Sequence, residues 1–482
     1  MDTFFIRREV LKMMDMTKGG TAKQILLFTL PMLIGSVFQQ FYNVTDSIIV
    51  GKFLGKEALA AVGAAFPVMF LLIALTMGAT MGITVLISQY YGAKDYEKVK
   101  ICIETAYIFM IVMAIAITII GFLLNDYILH FMKTPVEIFD DAKLYINVIF
   151  SGLILLFGYN SISSILRGLG DSRTPLYLLI FSAFLNIGLD LLFIIVFKWG
   201  VWGAAFATVI AEGFSFVGGI IYLQAINPLF RVNYLKLRFD KSIFMDSISI
   251  GLPTGAQQMF VAAGMMALTR IVNQFGTNAI AAFTAAGRID SFAMMPAMNL
   301  SMAMSTFVGQ NIGAGKHERV KAAIKTSIFI SLIISVIISV SVILFSSPLL
   351  RLFTNDLDVI SIGKDYLFIV GGFYFAFMLM FIFNGALRGA GDTLIPMFIT
   401  LFSLWIIRIP VSSFLSTKMG TDGIWWGIPI AWLIGAVFSG LYFSTGRWKK
   451  KVFVKRSIAN LEAIEIISEI ELDELERKEC RQ

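Results

Sequence analysis

The chain has 482 residues, of which 57% are hydrophobic and only 15% charged, with a formal net charge of +7. Soluble domains carry about 25% charged residues, so this composition excludes an ordinary soluble globule. The basic residues are spread over many short segments without a common face, which excludes a nucleic-acid binder. The two cysteines, Cys102 and Cys480, give neither a disulfide framework nor a metal-ligand spacing.

Apolar stretches of roughly 20 residues, enough to cross a bilayer core, recur along the whole chain. Residues 1–23 lack an apolar core with a cleavage site, so no removed signal peptide is expected. Spans are predicted over 24–50, 58–88, 101–124, 141–167, 175–197 and 200–224. A cytoplasmic linker, 225–242, follows. Six more spans are predicted over 243–273, 281–309, 322–346, 362–387, 394–416 and 422–445. The chain thus divides into an N-terminal segment (1–23), two six-helix lobes (24–224 and 243–446) around the linker, and a basic cluster with a Glu-rich tail (447–482).

Alternate connections differ in charge. One set carries Arg7, Arg8, Lys12, Lys18, Lys23, Lys94, Lys98, Lys100, Arg167 and Arg173, and then Arg231, Lys236, Arg238, Lys316, Arg319, Lys321 and Arg388. The other has little beyond Lys52, Lys56, Lys133, Lys198, Arg351 and Lys418. Positive charge stays inside, so a multi-pass protein of the plasma (inner) membrane with both termini cytoplasmic is expected.

The chain repeats itself. GKEALAAVGAA (55–65) returns as GTNAIAAFTAA (276–286), QYYGAKDYEKVK (89–100) as QNIGAGKHERVK (310–321), and LRGLGDSRTP (166–175) as LRGAGDTLIP (387–396). All three pairs share an offset of 221 residues and together hold 18 identities in 33 positions. An even number of spans per copy makes the repeats parallel, and such bundles hold their substrate at the repeat interface.

Ionisable groups inside spans are costly and mark function. Asp46 lies late in the first span, and Asn186 and Asp190 lie one helical turn apart in the fifth, on one face. Thr208, in the sixth span, falls at the same depth. This oxygen-rich cluster suits a hard monovalent cation, and equally a proton, because adjacent carboxylates repel unless a positive charge joins them. At the repeat offset the four become Ala267, Ile407, Val411 and Pro429. A polar set required by the fold would recur, so these groups serve something only the first half does.

Other intramembrane candidates are Glu212, Gln257, Gln258, Arg288 and Asp290, which could line a cavity, and Pro31, which can kink the first span. Methionines including Met259 and Met295 could give an adaptable ligand surface. There is no catalytic constellation and no room for a nucleotide domain, so neither an enzyme nor an ATP-driven pump is expected. No cofactor is expected beyond a bound Na⁺.

The segments LP…DSIIVGKFLGKEALAAVG, LRGLGD with LRGAGD, LNIGLD…GVWGAAFAT and RIDSFAMMP resemble the multidrug and toxic compound extrusion (MATE) family over about residues 20–447. The resemblance implies an all-α, V-shaped bundle of twelve helices in two lobes. It also implies a secondary antiporter that expels organic cations or drugs in exchange for Na⁺ or H⁺. Asp46, Asn186, Asp190 and Thr208 match the family's cation-coupling positions, and Pro31 its bending proline. Family acids of the seventh and tenth spans fall here on the apolar Val261 and Phe377. The partners implied are a small organic cation or drug, the coupling ion and the lipid bilayer, with a monomer expected. The alternative is a lipid-linked oligosaccharide flippase of the same general architecture, which would want a cation-lined cavity.

Overall fold

The computed structural model describes residues 13–226, 230–233 and 236–454. Arg7, Arg8, Lys12, Cys480, part of the linker and the acidic tail lie outside them. The described chain is helical throughout: α1 (Thr21–Phe53), α2 (Lys56–Ala64), α3 (Phe66–Gly92), α4 (Tyr96–Phe131), α5 (Val136–Ser151), α6 (Leu153–Gly168), α7 (Arg173–Asp190) and α8 (Gly200–Ile226) in the first half. The second half holds α9 (Lys241–Val272), α10 (Gly276–Gly313), α11 (His317–Leu344), α12 (Ser346–Arg351), α13 (Leu357–Gly371), α14 (Tyr374–Gly389), α15 (Leu394–Leu401), α16 (Ile409–Met419) and α17 (Thr421–Ser444). Helices satisfy every backbone group internally, the condition for crossing a bilayer.

Among the described residues, eight helical stretches are long and apolar enough to span, and two bent pairs bring the number to ten. The pairs are α5 with α6, bent by 54°, and α13 with α14, bent by 47°. Helices α9 and α10 complete the set of twelve: at 32 and 38 residues they are long enough. They are less apolar because Asp246, Gln257, Gln258, Arg288, Asp290, Asn299, Gln310 and Asn311 lie along them. Helix α7 runs on as a π-helical stretch, Leu191–Val196, and α15 does the same at Phe402–Arg408, so the repeat extends to this irregularity.

The repeated motifs build joints. In LRGLGD and LRGAGD, Gly170 and Gly391 adopt φ +89° and +88°, left-handed values natural to glycine. The following acid then fastens the turn. Asp171 accepts the Arg173 and Thr174 amides at 3.0 Å and the hydroxyls of Thr174 (2.6 Å) and Tyr222 (2.9 Å). Asp392 likewise accepts the Tyr442 hydroxyl at 2.6 Å.

In QYYG and QNIG, α3 and α10 cross so closely that a methyl group on Gly92 would overlap the Gln310 carbonyl, and one on Gly313 that of Gln89. Each glutamine then bridges to the opposite half. Gln89 Nε2 donates to the Gly389 carbonyl (3.0 Å), and its Oε1 accepts the Phe453 amide (3.2 Å). Gln310 Nε2 donates to the Gly168 carbonyl (3.4 Å), and its Oε1 accepts the Met16 amide (2.9 Å).

Around this crossing one buried cluster unites both halves, from Met81 to Tyr91, Ile162 to Leu169, Leu300 to Ile312 and Ile382 to Ala390. At the opposite end the cores are separate. One, containing Val50, Ala61, Ile149 and Ala205, stays in the first half; the other, containing Leu268, Ala286, Leu367 and Trp425, stays in the second. The halves are therefore joined at the end bearing the basic turns and parted at the other, the two-lobed V. The linker runs back along the first lobe. Arg238 Nε bonds the Glu104 carboxylate at 2.8 Å, which lifts the guanidinium above its usual range, and the Asp240 amide donates to Thr105 Oγ1 at 3.1 Å. Helix α9 then packs on α3, with Gly251 against Gly78 and Ser247 against Gly82.

Gly92→Ala should cost about 1–3 kcal/mol, because the overlap is with backbone that cannot rotate away. In detergent its Tm should fall clearly, whereas Gly63→Ala, with open space at its Cβ position, should leave Tm unchanged. Asp171→Ala, which removes a helix-starting acceptor, should cost about 1–2 kcal/mol by the same measurement.

Candidate functional site

Asp46 on α1 and Asp190 at the end of α7 are brought together, their carboxyl groups facing one another. Asn186, one turn before Asp190, is fully buried, as is Asp190 itself. Its Nδ2 donates to Thr208 Oγ1 on α8 at 3.3 Å, and Tyr42 Oη lies 3.4 Å from the same hydroxyl. Thr208 in turn donates to the Ala204 carbonyl at 3.3 Å. All four residues expected to share one depth thus share one site.

Four of its oxygens are buried and accept no hydrogen bond from any other described group, the two carboxyls having only each other within hydrogen-bond reach: Asp46 Oδ1, Asp190 Oδ1 and Oδ2, and Asn186 Oδ1. Buried acceptors are nearly always satisfied, and an orphaned one costs about 1–3 kcal/mol, more for a charged group. Four together, three of them on the two facing carboxyls, call for a positive charge. Sequence reasoning missed two neighbours, Tyr42 and the buried Tyr145, both within electrostatic reach of the acids. Their only sequence signal was helical spacing: Tyr42 stands one turn before Asp46.

The second half contains a different arrangement. Asp290 is buried, but its carboxyl accepts the Tyr366 hydroxyl at 2.5 Å and the Tyr374 hydroxyl as well, with Arg408 within electrostatic reach. That acid is satisfied by its own lobe. Phe377 packs in tilted contact with Phe381 and Trp432 at centroid distances of 4.4 and 5.0 Å, so its position in the tenth span is filled by apolar ring.

A cavity of about 420 Å³ lies between the halves, walled by Ser36 and Gln39 of α1, Met69 to Thr84 of α3, Leu153 to Arg167 of α6, and Met302 to Thr306 of α10. None of Glu212, Gln257, Gln258, Met259, Arg288, Asp290 or Met295 is among its lining residues. Arg288 and Met259 are exposed, and Met295 is buried. Gln257 donates to Thr400 Oγ1 at 2.6 Å, and Gln258 reaches the rim by donating to Met77 Sδ at 3.7 Å. Glu212 sits behind the wall, within reach of Tyr42 and Tyr159, with Oε2 unpartnered. Spacing along one helix could not tell a lobe-facing side from a cavity-facing one for these residues. Arg167, by contrast, reads in sequence as one of the loop charges yet lines the cavity. Pro31 lies inside α1, which continues unbroken through it.

The MatE family model matches residues 31–192 and 253–414, one copy in each half. The probable multidrug resistance protein YpnP of Bacillus subtilis is 35% identical over 449 residues, covering 92% of this chain and all of the relative. The probable multidrug resistance protein NorM of Thermotoga maritima is 31% identical over 448 residues, covering 90% and 94%. Among solved structures, the outward-facing conformation of a multidrug resistance MATE family transporter superposes with TM-score 0.84 at 25% identity, covering 90% of this chain and 98% of that one. With both halves matched and the two-lobed fold in place, the chain belongs to the MatE family and is a multi-pass membrane transporter of the multidrug efflux type, not an enzyme.

Proposed function

We propose that the protein is a secondary antiporter that exports organic cations or related drugs through the cavity between its lobes, driven by Na⁺ or H⁺ at Asp46, Asn186, Asp190 and Thr208. The observation that carries this reading is the set of four orphaned acceptor oxygens around two facing carboxyls. A proton shared by the carboxyls would relieve their repulsion; a Na⁺ would engage all four oxygens. The basic end is taken as cytoplasmic, so this open-ended V faces outward in the plasma membrane, with both termini inside and the protein a monomer.

Coupling requires that ion and cargo prefer different conformations, since only differential affinity shifts an equilibrium. The site joins α1 to α7 and α8, while the cavity is walled by the same α1. An ion that draws Asp46 toward Asp190 therefore acts on a helix the cargo also touches. Pro31 leaves one helical hydrogen bond unmade, which lets α1 bend between its ends. The flippase alternative draws on a single observation, the guanidinium of Arg167 in the cavity, against an acidic ion site in the first lobe.

The test is dye efflux from proteoliposomes with Na⁺ and pH gradients imposed separately. Efflux driven by one gradient identifies the ion, and Asp190→Asn should lower that efflux at least about tenfold, the scale of one charge-assisted contact. Full activity in Asp190→Asn would remove the coupling assignment. No gradient-driven efflux of any dye, with binding of a lipid-linked pyrophosphate, would favour the flippase. Thr208→Ala, which loses one neutral hydrogen-bonding group, should lower ion affinity only about fivefold, read from the half-saturating ion concentration.

A further inference from the structure

Among the residues that line the cavity, Arg167 is the single charged one. It stands in the last turn of α6, near the joined end of the bundle, so it forms the floor of the space. Its guanidinium donates to Ser164 Oγ at 2.7 Å, and its Nε is buried with no partner. Among the described residues no carboxylate forms an ion pair with it, and the Tyr159 hydroxyl is within its electrostatic reach. The rest of the half-buried guanidinium faces the cavity, and its planar fork matches a carboxylate in bidentate fashion.

The repeat again provides a control. Arg388, the counterpart in LRGAGD, donates Nε to the Asn384 carbonyl at 3.3 Å and Nη2 to Ser301 Oγ at 2.8 Å, and it is not among the cavity residues. The fold's requirement for an arginine in this motif is met inside the second lobe. In the first lobe the same residue faces the cargo space with donors to spare. Around it the cavity offers hydroxyls already committed as donors: Thr76, Thr80 and Thr84 each donate to the carbonyl one turn back, at 2.7, 2.8 and 2.9 Å. They present acceptor oxygens to a ligand. Met69, Met77, Met81, Met302 and Phe157 supply apolar wall.

From this placement we infer that, among amphiphilic organic cations, the cavity favours those that also carry a carboxylate, and that Arg167 is the residue that recognises that group. The inference deepens the proposed function by naming the cargo class, and it rests on the cavity being the cargo site.

The experiment compares rhodamine B, which carries a free carboxylate, with its ethyl ester, in which an ethyl group replaces that charge and adds apolar surface that would by itself favour the ester. Binding to the full-length protein in detergent is read by fluorescence polarisation with no ion gradient, so failure of ion coupling would not affect it. Wild type should bind the acid about tenfold more tightly than the ester, the scale of a charge-assisted pair. Arg167→Gln should bring the two affinities together by weakening the acid alone, and Arg167→Lys should keep part of the preference. Arg388→Gln, outside the cavity, should preserve the preference. Size-exclusion profile and ester binding report whether each variant is folded. A wild type that binds the ester as well as the acid, or binds neither, overturns the inference. So does an Arg167→Gln variant that loses both dyes equally while remaining folded.

Discussion

Everything else in this molecule hangs on the place where α3 and α10 cross. Two helices can approach to backbone contact only where side chains are missing, and Gly92 and Gly313 supply that absence on each partner. The approach brings Gln89 and Gln310 within reach of carbonyls and amides belonging to the opposite half. Because the contact is built from one motif used twice, it is nearly self-complementary, like the interface of a two-fold dimer. It closes one end of the bundle. The cavity exists because, among the described residues, nothing comparable joins the halves at the other end.

Onto that symmetric frame the chain places asymmetric chemistry. The first lobe keeps Asp46, Asp190 and Asn186 with oxygens unsatisfied, while the second lobe's buried acid, Asp290, is closed off by two tyrosine hydroxyls. The arginines of the duplicated motif divide in the same way, one spent within its lobe and one turned to the cavity. The arginine recurs in both copies, whereas Asp46 and Asp190 become Ala267 and Val411 at the repeat offset. What separates function from scaffold is whether the surrounding lobe satisfies the group.

The sequence carries much of this in readable form. Hydropathy and charge alternation give the spans, and the 221-residue offset gives the two lobes, because membrane helices must be long and duplicated units keep their joints. The acid cluster is legible because Asp46 and Asp190 are costly where they stand, and Asn186 shares a face with Asp190. The rest was hidden for physical reasons. The bends within the fourth and tenth spans fall at Ser151 with Gly152 and at Gly371 with Gly372, small-residue pairs without proline that leave hydropathy unbroken. Tyr42 and Tyr145 look like ordinary interfacial aromatics until the fold sets them beside the acids. Arg167 sits at a span boundary, where a positive charge reads as topology. Glu212, Arg288 and Asp290 are equally conspicuous in sequence, and the tertiary packing sends them to three different surroundings.

The linker and α9 carry a mechanical consequence. By sequence α9 opens the second repeat, yet its approach is tethered to α4 through Arg238 with Glu104 and Asp240 with Thr105, and its flank lies on α3 where glycines meet. Surfaces of bare backbone have no side chains that can flex, so they slip by whole steps or stay in register. The seam along which such a machine can swing therefore need not follow the boundary between its repeats. Here α9 belongs to both halves: Gly251 and Ser247 in its first part lie on α3, while Leu268 and Val272 near its end pack in the core of the second lobe.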